Sequence, residues 1–167
     1  EFRRVLFRSS ITRINSINTA IASIVDDRYV KVRLAFDVRD GVNDQIKYLR
    51  GMVIDTLHPE KNAKRFGQLE EATQRTNNAM KKIEAIQVTA VGKKKIAGLL
   101  ASSLAFEKVK AELMALVQAG NFDAASTYVL QSMTATQNKF LQDAINFANS
   151  QDAQLRSEGQ GIMDNGQ

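Results

Sequence analysis

The sequence predicts an all-α protein, an elongated antiparallel four-helix bundle of up-down-up-down topology. One proline and nine glycines in 167 residues leave few places for turns, whereas a sandwich or barrel needs a turn signal every dozen or so residues. Apolar residues recur at spacings of three and four over stretches far longer than a strand. The breaks between these stretches are short, which forces successive helices to lie antiparallel.

The first helix is expected over about 11–56. Ile14, Ile17, Ile21, Ile24, Ala35, Val38, Val42, Leu49 and Met52 fall at spacings of three, four or their sums, a coiled-coil-like seam. The seam stops at Thr56-Leu57-His58-Pro59, because proline disfavours helical geometry before it and suits the first turn of a new helix. A second helix, about 60–91, carries Phe66, Leu69, Thr73, Thr76, Met80, Ile83, Gln87 and Ala90 and ends at Val91-Gly92. The third, about 93–118, carries Ile96, Leu99, Ser103, Phe106, Lys110, Leu113 and Val117. Ala119-Gly120-Asn121 closes it with a C-cap glycine followed by a favoured N-cap residue. The fourth, about 122–158, carries Phe122, Val129, Met133, Thr136, Phe140, Phe147 and Leu155. Residues 159–167 read as a frayed tail, and the Arg-rich, aperiodic residues 1–10 as a fragment-end segment outside the functional argument. At about 1.5 Å per residue the first helix reaches on the order of 65–70 Å, so a rod with both termini at one end is expected.

Composition narrows the chemistry. The absence of cysteine excludes disulfides, thiolate zinc and a cysteine nucleophile, and a single histidine excludes a multi-histidine metal site. No cofactor or metal is expected. The net charge of +5 is spread, with acids interleaved as in Asp26-Asp27-Arg28 and Arg39-Asp40, and Lys93-Lys94-Lys95 is its one run. Nucleic acid is therefore not an expected partner. No apolar run approaches the roughly 18 residues of a membrane span. Neither paired carboxylates, a triad nor a phosphate loop can be assembled, so no enzyme is expected, and His58 reads as a turn residue.

The stretch DDRYVKVRLAFDVRDGVNDQIKYLRGMVIDT, Asp26 to Thr56, resembles the first helix of the four-helix-bundle sensor domain of bacterial chemoreceptors, the methyl-accepting chemotaxis proteins. The family pattern D-R-Y-P-K-V…D-x-V-N…L-R-N-x-L is matched at Asp27, Arg28, Tyr29, Lys31, Val32, Asp40, Val42, Asn43, Leu49 and Arg50. Val30 stands in place of the proline and Gly51 in place of the asparagine. VGKKKIAGLLASS resembles the opening of the third helix, and LVQAGNFDAASTYVLQSM the turn into the fourth, so the similarity runs from about Ile14 to Gln151. The resemblance implies a periplasmic domain of an inner-membrane protein, held between two transmembrane helices. It implies a dimer that binds a small molecule and signals, through a slight axial shift of helix 4, to a cytoplasmic chemotaxis module. Relatives recognise amino acids, organic acids and some aromatic acids, often with helix-1 arginines near the membrane-distal end, which favours Arg50.

Polar residues at seam positions are the candidates for a site. In a second row of helix 1, Val25, Val32, Ile46 and Val53 at seven-residue spacing, Arg39 occupies the place of a fifth apolar residue, and a buried guanidinium needs an anion. Thr73, Thr76, Ser103, Lys110 and Thr136 interrupt the other seams. Counted back from the connections, Arg39, Thr76, Ser103 and Thr136 share a layer on the order of 20–27 Å below the distal end. This layer is expected to be a polar cavity in which Arg39 takes a carboxylate bidentately and Lys110 adds a point charge. Arg50 with Lys47 and Tyr128 makes a second, more distal site. Several cations and few acids suit a di- or tricarboxylate such as malate, succinate or citrate, while an amino acid has Asp40 or Asp44 for its ammonium. Against this, Arg39 pairs with an acid such as Asp143 and the threonines bond to carbonyls four residues back, leaving a structural or protein-interaction bundle. A sensor-kinase ectodomain is the third alternative. Arg28 reads as a structural ion-pair residue, and Tyr29 with Phe36 as dimer contact.

Overall fold

The computed structural model describes residues 13–19, 21–22, 29–55, 60–86 and 90–164, and among them there is no strand. The segment 1–10, Arg28, His58, Pro59 and Gln87 lie outside the described residues. The elements are α1 (Val30–Ile54), α2 (Glu60–Glu84), α3 (Ala90–Gln118), α4 (Phe122–Tyr128), a π-helical turn (Val129–Met133) and α5 (Thr134–Asp164). Residues 13–19 and 21–22 are helical as well. The tail expected from residue 159 is helical as far as Asp164.

Two compact units divide the chain. The unit Leu34–Phe147 is a four-helix bundle, the all-α class that the periodicity predicts. Asp55 pairs with Arg65 and Asp44 with Arg75, so partners on α2 climb as residues on α1 fall, the register of an antiparallel pair. Phe106 packs on Phe140 at 5.8 Å between centroids, and Glu112 meets Tyr128, which gives the same sense to α3 and the last helix. Val38, Val42, Leu49 and Met52 of α1 meet Leu99, Phe106, Leu113, Met133, Phe140 and Phe147 in a core of fully buried side chains. At Gly41 the helices approach so closely that a Cβ would overlap the Thr76 hydroxyl.

Gly120, with φ of 71°, ends α3. The amide of Asn121 donates to the Leu116 carbonyl at 2.9 Å and that of Gly120 to Val117 at 3.1 Å, a Schellman arrangement. Asn121 then accepts from the Ala124 amide and caps α4. Beyond it, Ala125, Val129, Met133 and Gln137 are buried at steps of four. The wider π-helical turn accommodates that step, whereas an α-helix needs threes among its fours. Gln137 consequently takes the inward position expected for Thr136, which is half-buried. On α3, Ser102 is buried in place of Ser103.

The other unit, Glu1–Arg33 with Ala148–Gln167, buries Lys31, Ala148 and Gln151. Its seam residues Ile14, Ile17 and Ile21 are 57%, 39% and 50% exposed, so the seam expected there does not face a core in this chain.

Candidate functional site

Several polar residues of the expected layer are bound within the bundle. Gln45, fully buried on α1, is the centre of a closed network. Its Nε2 donates to Thr76 Oγ1 at 2.9 Å, and its Oε1 accepts from Lys110 Nζ at 3.0 Å and from Thr73 Oγ1 at 3.2 Å. Lys110 also donates to Thr73 at 3.1 Å and to Glu107 at 2.6 Å. An ammonium has three N–H donors, so Lys110 has none to spare for a ligand. The Thr76 hydroxyl is taken up by the Ala72 carbonyl, and that of Thr136 by the Ser132 carbonyl, four residues back in each case.

Arg39 is not in the core. Its guanidinium binds neighbouring Asp40 through Nε at 2.8 Å and a terminal nitrogen at 2.7 Å, lies 4.6 Å from the Phe36 ring centroid, and leaves the side chain 38% exposed. A row at seven-residue spacing drifts about 20° per heptad around a straight helix, which carries Arg39 off the face that buries Ile46 and Val53. Asp143, the acid expected for it, binds Lys139 at 2.7 Å. Ser103 is half-buried on α3 and joins none of these groups.

A cavity of about 500 Å³ lies elsewhere, between the last turn of α1 and the start of the fourth helix. Arg50, Val53 and Ile54 line it from α1, Ser126 from α4, Val129 and Leu130 from the π-helical turn, and Thr134 from the first position of α5. The turn is closed at the Val129 carbonyl, which accepts both the backbone N–H of Thr134 and, at 2.9 Å, its hydroxyl. Such turns recur at functional sites because the extra residue widens the helix locally.

Arg50 sets the electrostatics of this cavity. It donates to Gln137 Oε1 at 3.3 Å, one use of a guanidinium that carries five N–H donors. Among the described residues Arg39, Arg65, Arg75 and Lys110 hold carboxylates, and none holds Arg50. Tyr128, expected beside Arg50, turns to α3 and donates to the Glu112 carboxylate, although its neighbours Ser126 and Val129 line the cavity. Burial first, and the Glu112 bond second, push its phenol up to about 12. Lys47 sits 5.8 Å from the Tyr48 ring. Near the end of α1, Asp55 holds Arg65 at 2.9 Å and Lys61 at 3.5 Å, and chiefly the Arg65 bond keeps its carboxyl below the usual range. Arg65 lies over Gly51, where a Cβ would stand 3.0 Å from its Nε.

Sequence reasoning missed Gln45, although it stands at a seam position between Val42 and Leu49. It also missed Ser126, Leu130 and Thr134, which line the cavity from α4, the π-helical turn and the start of α5.

One protein family, described as a four helix bundle sensory module for signal transduction, matches residues 9–158. The chain belongs to this family. The sensory module is similar in fold to a solved periplasmic sensor domain of a sensor histidine kinase, with a TM-score of 0.71 and 18% identity over 86% of this chain and 95% of that one. No curated protein matches the sequence. The family is a sensory rather than a catalytic one, and it is the chemoreceptor-type bundle that the Asp26–Thr56 stretch resembles. Among the described residues of the module, no group of three His, Asp or Glu is placed to hold a metal, and no helix is long and apolar enough to cross a membrane.

Proposed function

We propose that this sensory module is the periplasmic ligand-binding domain of a transmembrane chemoreceptor, acts as a dimer, and binds a small carboxylate through Arg50. The observation that carries the ligand reading is Arg50 itself: a guanidinium with no carboxylate among the described residues, lining a cavity of about 500 Å³. An arginine fork binds a carboxylate bidentately, and Ser126 in the same lining brings a hydroxyl, whereas the Thr134 hydroxyl gives its proton to the Val129 carbonyl. Periplasmic placement and a membrane anchor are supported by the resemblance of Asp26–Thr56 and by the fold likeness to a periplasmic sensor domain. Arg39, Thr73, Thr76, Ser103, Lys110 and Thr136 are left out of this site, because most of them are bound within the bundle.

The fold likeness also favours a second reading, the ectodomain of a sensor kinase. It shares the ligand logic and differs in the cytoplasmic output alone.

The test is calorimetric titration of the chain with malate, succinate, citrate, aspartate and 4-methylpentanoate, repeated with Arg50→Gln. Saturable heat from at least one acid, lost in a variant of unchanged helicity, is the expected result. Silence across the acids from folded protein, or binding that ignores the substitution, rejects the assignment in favour of a bundle without a small ligand.

A further inference from the structure

The chemistry of the cavity wall narrows the ligand further, on the footing of the carboxylate reading above. Among the described residues of the lining Arg50 alone is charged, and the rest of the wall is Ser126, Thr134 and aliphatic side chains. A ligand ammonium finds no carboxylate there, since Asp40 and Asp44, the acids a helix-1 site would offer, hold Arg39 and Arg75. A second ligand carboxylate is equally unpartnered, because Lys110 spends its donors on Gln45, Thr73 and Glu107. An unpaired charge pressed against aliphatic groups is costly.

Two of the aliphatic groups point the same way. Ile54 and Leu130 are 79% and 75% exposed although they border the cavity. An apolar ligand body removes their surface from water, whereas a polar one leaves it wet or strips its own hydration without return.

We infer that the Arg50 cavity takes a monocarboxylate with a compact apolar body and no ammonium group, and rejects amino acids and dicarboxylates of similar size. The carboxylate sits on the guanidinium fork, Ser126 flanks it, and the body lies against Val53, Ile54 and Leu130. The cavity volume falls within the range usual for small-molecule sites.

Each probe is compared with 4-methylpentanoate: leucine, the amide and acetate change one feature of it, and adipate exchanges its branched end for a carboxylate. 4-Methylpentanoate has the acid and a branched body; leucine adds an ammonium to that skeleton; adipate puts a second carboxylate at the far end; 4-methylpentanamide removes the charge; acetate removes the body. Calorimetric titration is expected to give saturable binding of 4-methylpentanoate, with each of the other four weaker by about tenfold or more, the factor that roughly 1.4 kcal/mol produces. Leu130→Ser, at a largely exposed position where the fold tolerates the change, weakens 4-methylpentanoate several-fold. Leucine or adipate binding as tightly as 4-methylpentanoate, with Arg50→Gln abolishing both, overturns this ligand class and leaves the Arg50 carboxylate reading in place. The amide binding as tightly as the acid, or no acid binding at all, overturns that reading and the inference with it.

Discussion

The Thr134 hydroxyl donates to the Val129 carbonyl at 2.9 Å, alongside the Thr134 backbone N–H that makes the i to i−5 bond of the π-helical turn. One carbonyl oxygen thus accepts twice from one residue. Thr134→Val keeps the shape of the side chain and removes the second bond. The expected cost is about 0.5–1.5 kcal/mol, the usual net worth of a hydrogen bond, read as a lower denaturant midpoint at unchanged slope. An unchanged midpoint would show that the backbone bond alone holds the turn.

Lys110 and Gln45 stabilise each other rather than a ligand. Truncating either leaves a buried polar group short of a partner, so Lys110→Met and Gln45→Leu are each expected to cost about 1–3 kcal/mol. The pair replaced together is expected to cost less than the sum, because neither residue is then left short of the other. A double-mutant cycle in urea measures the coupling. Strict additivity, or loss of carboxylate binding in Lys110→Met, would return Lys110 to the list of ligand contacts.

The helix pattern was legible because burial follows the 3.6-residue period: Val38, Val42, Leu49, Leu99, Phe106, Leu113, Phe140 and Phe147 are buried at expected seam positions. The cap at Gly120-Asn121 was legible for the same kind of local reason, a left-handed residue where glycine is cheapest. The site was not, for two reasons. Facing depends on accumulated rotation, so a seven-residue row that is buried at Ile46 and Val53 has turned outward by Arg39. A π-helical turn adds one residue to the helix, which moves Gln137 inward in place of Thr136 and opens a wall no α-helical wheel contains. The run Ala125, Val129, Met133 at steps of four was the available signal. Arg50 was reached from the sequence only through resemblance, since its value lies in what it lacks, and a missing ion partner is a property of three dimensions.

Gly41 marks where α1 and α2 touch through Thr76. Gly41→Ala puts a methyl group into the space of the Thr76 hydroxyl. Overpacking of this kind costs about 1–3 kcal/mol, less the few tenths to about 1 kcal/mol by which alanine is the better helix former. The same substitution in a Thr76→Ala background meets no hydroxyl, so its added cost is expected to vanish there or become a gain. Thermal unfolding of the four proteins separates these terms. Equal cost in both backgrounds would place the clash elsewhere.

Tyr128 couples stability to alkaline pH. An unfolded tyrosine ionises near 10, and burial with the Glu112 bond raises the folded group to about 12. A raised folded pKa means that the native state holds the proton more tightly. The contribution is complete below about pH 10 and is lost as pH climbs through about 12. Phenolate absorbance should show one of the three tyrosines titrating near 12, and that step should be missing in Tyr128→Phe. The variant's unfolding midpoint should also fall less steeply between pH 10 and 12 than that of the parent chain. A Tyr128 that ionises with an exposed phenol would mean that the Glu112 bond does not persist in solution, and the link between α3 and the cavity-lining stretch 126–130 would go with it.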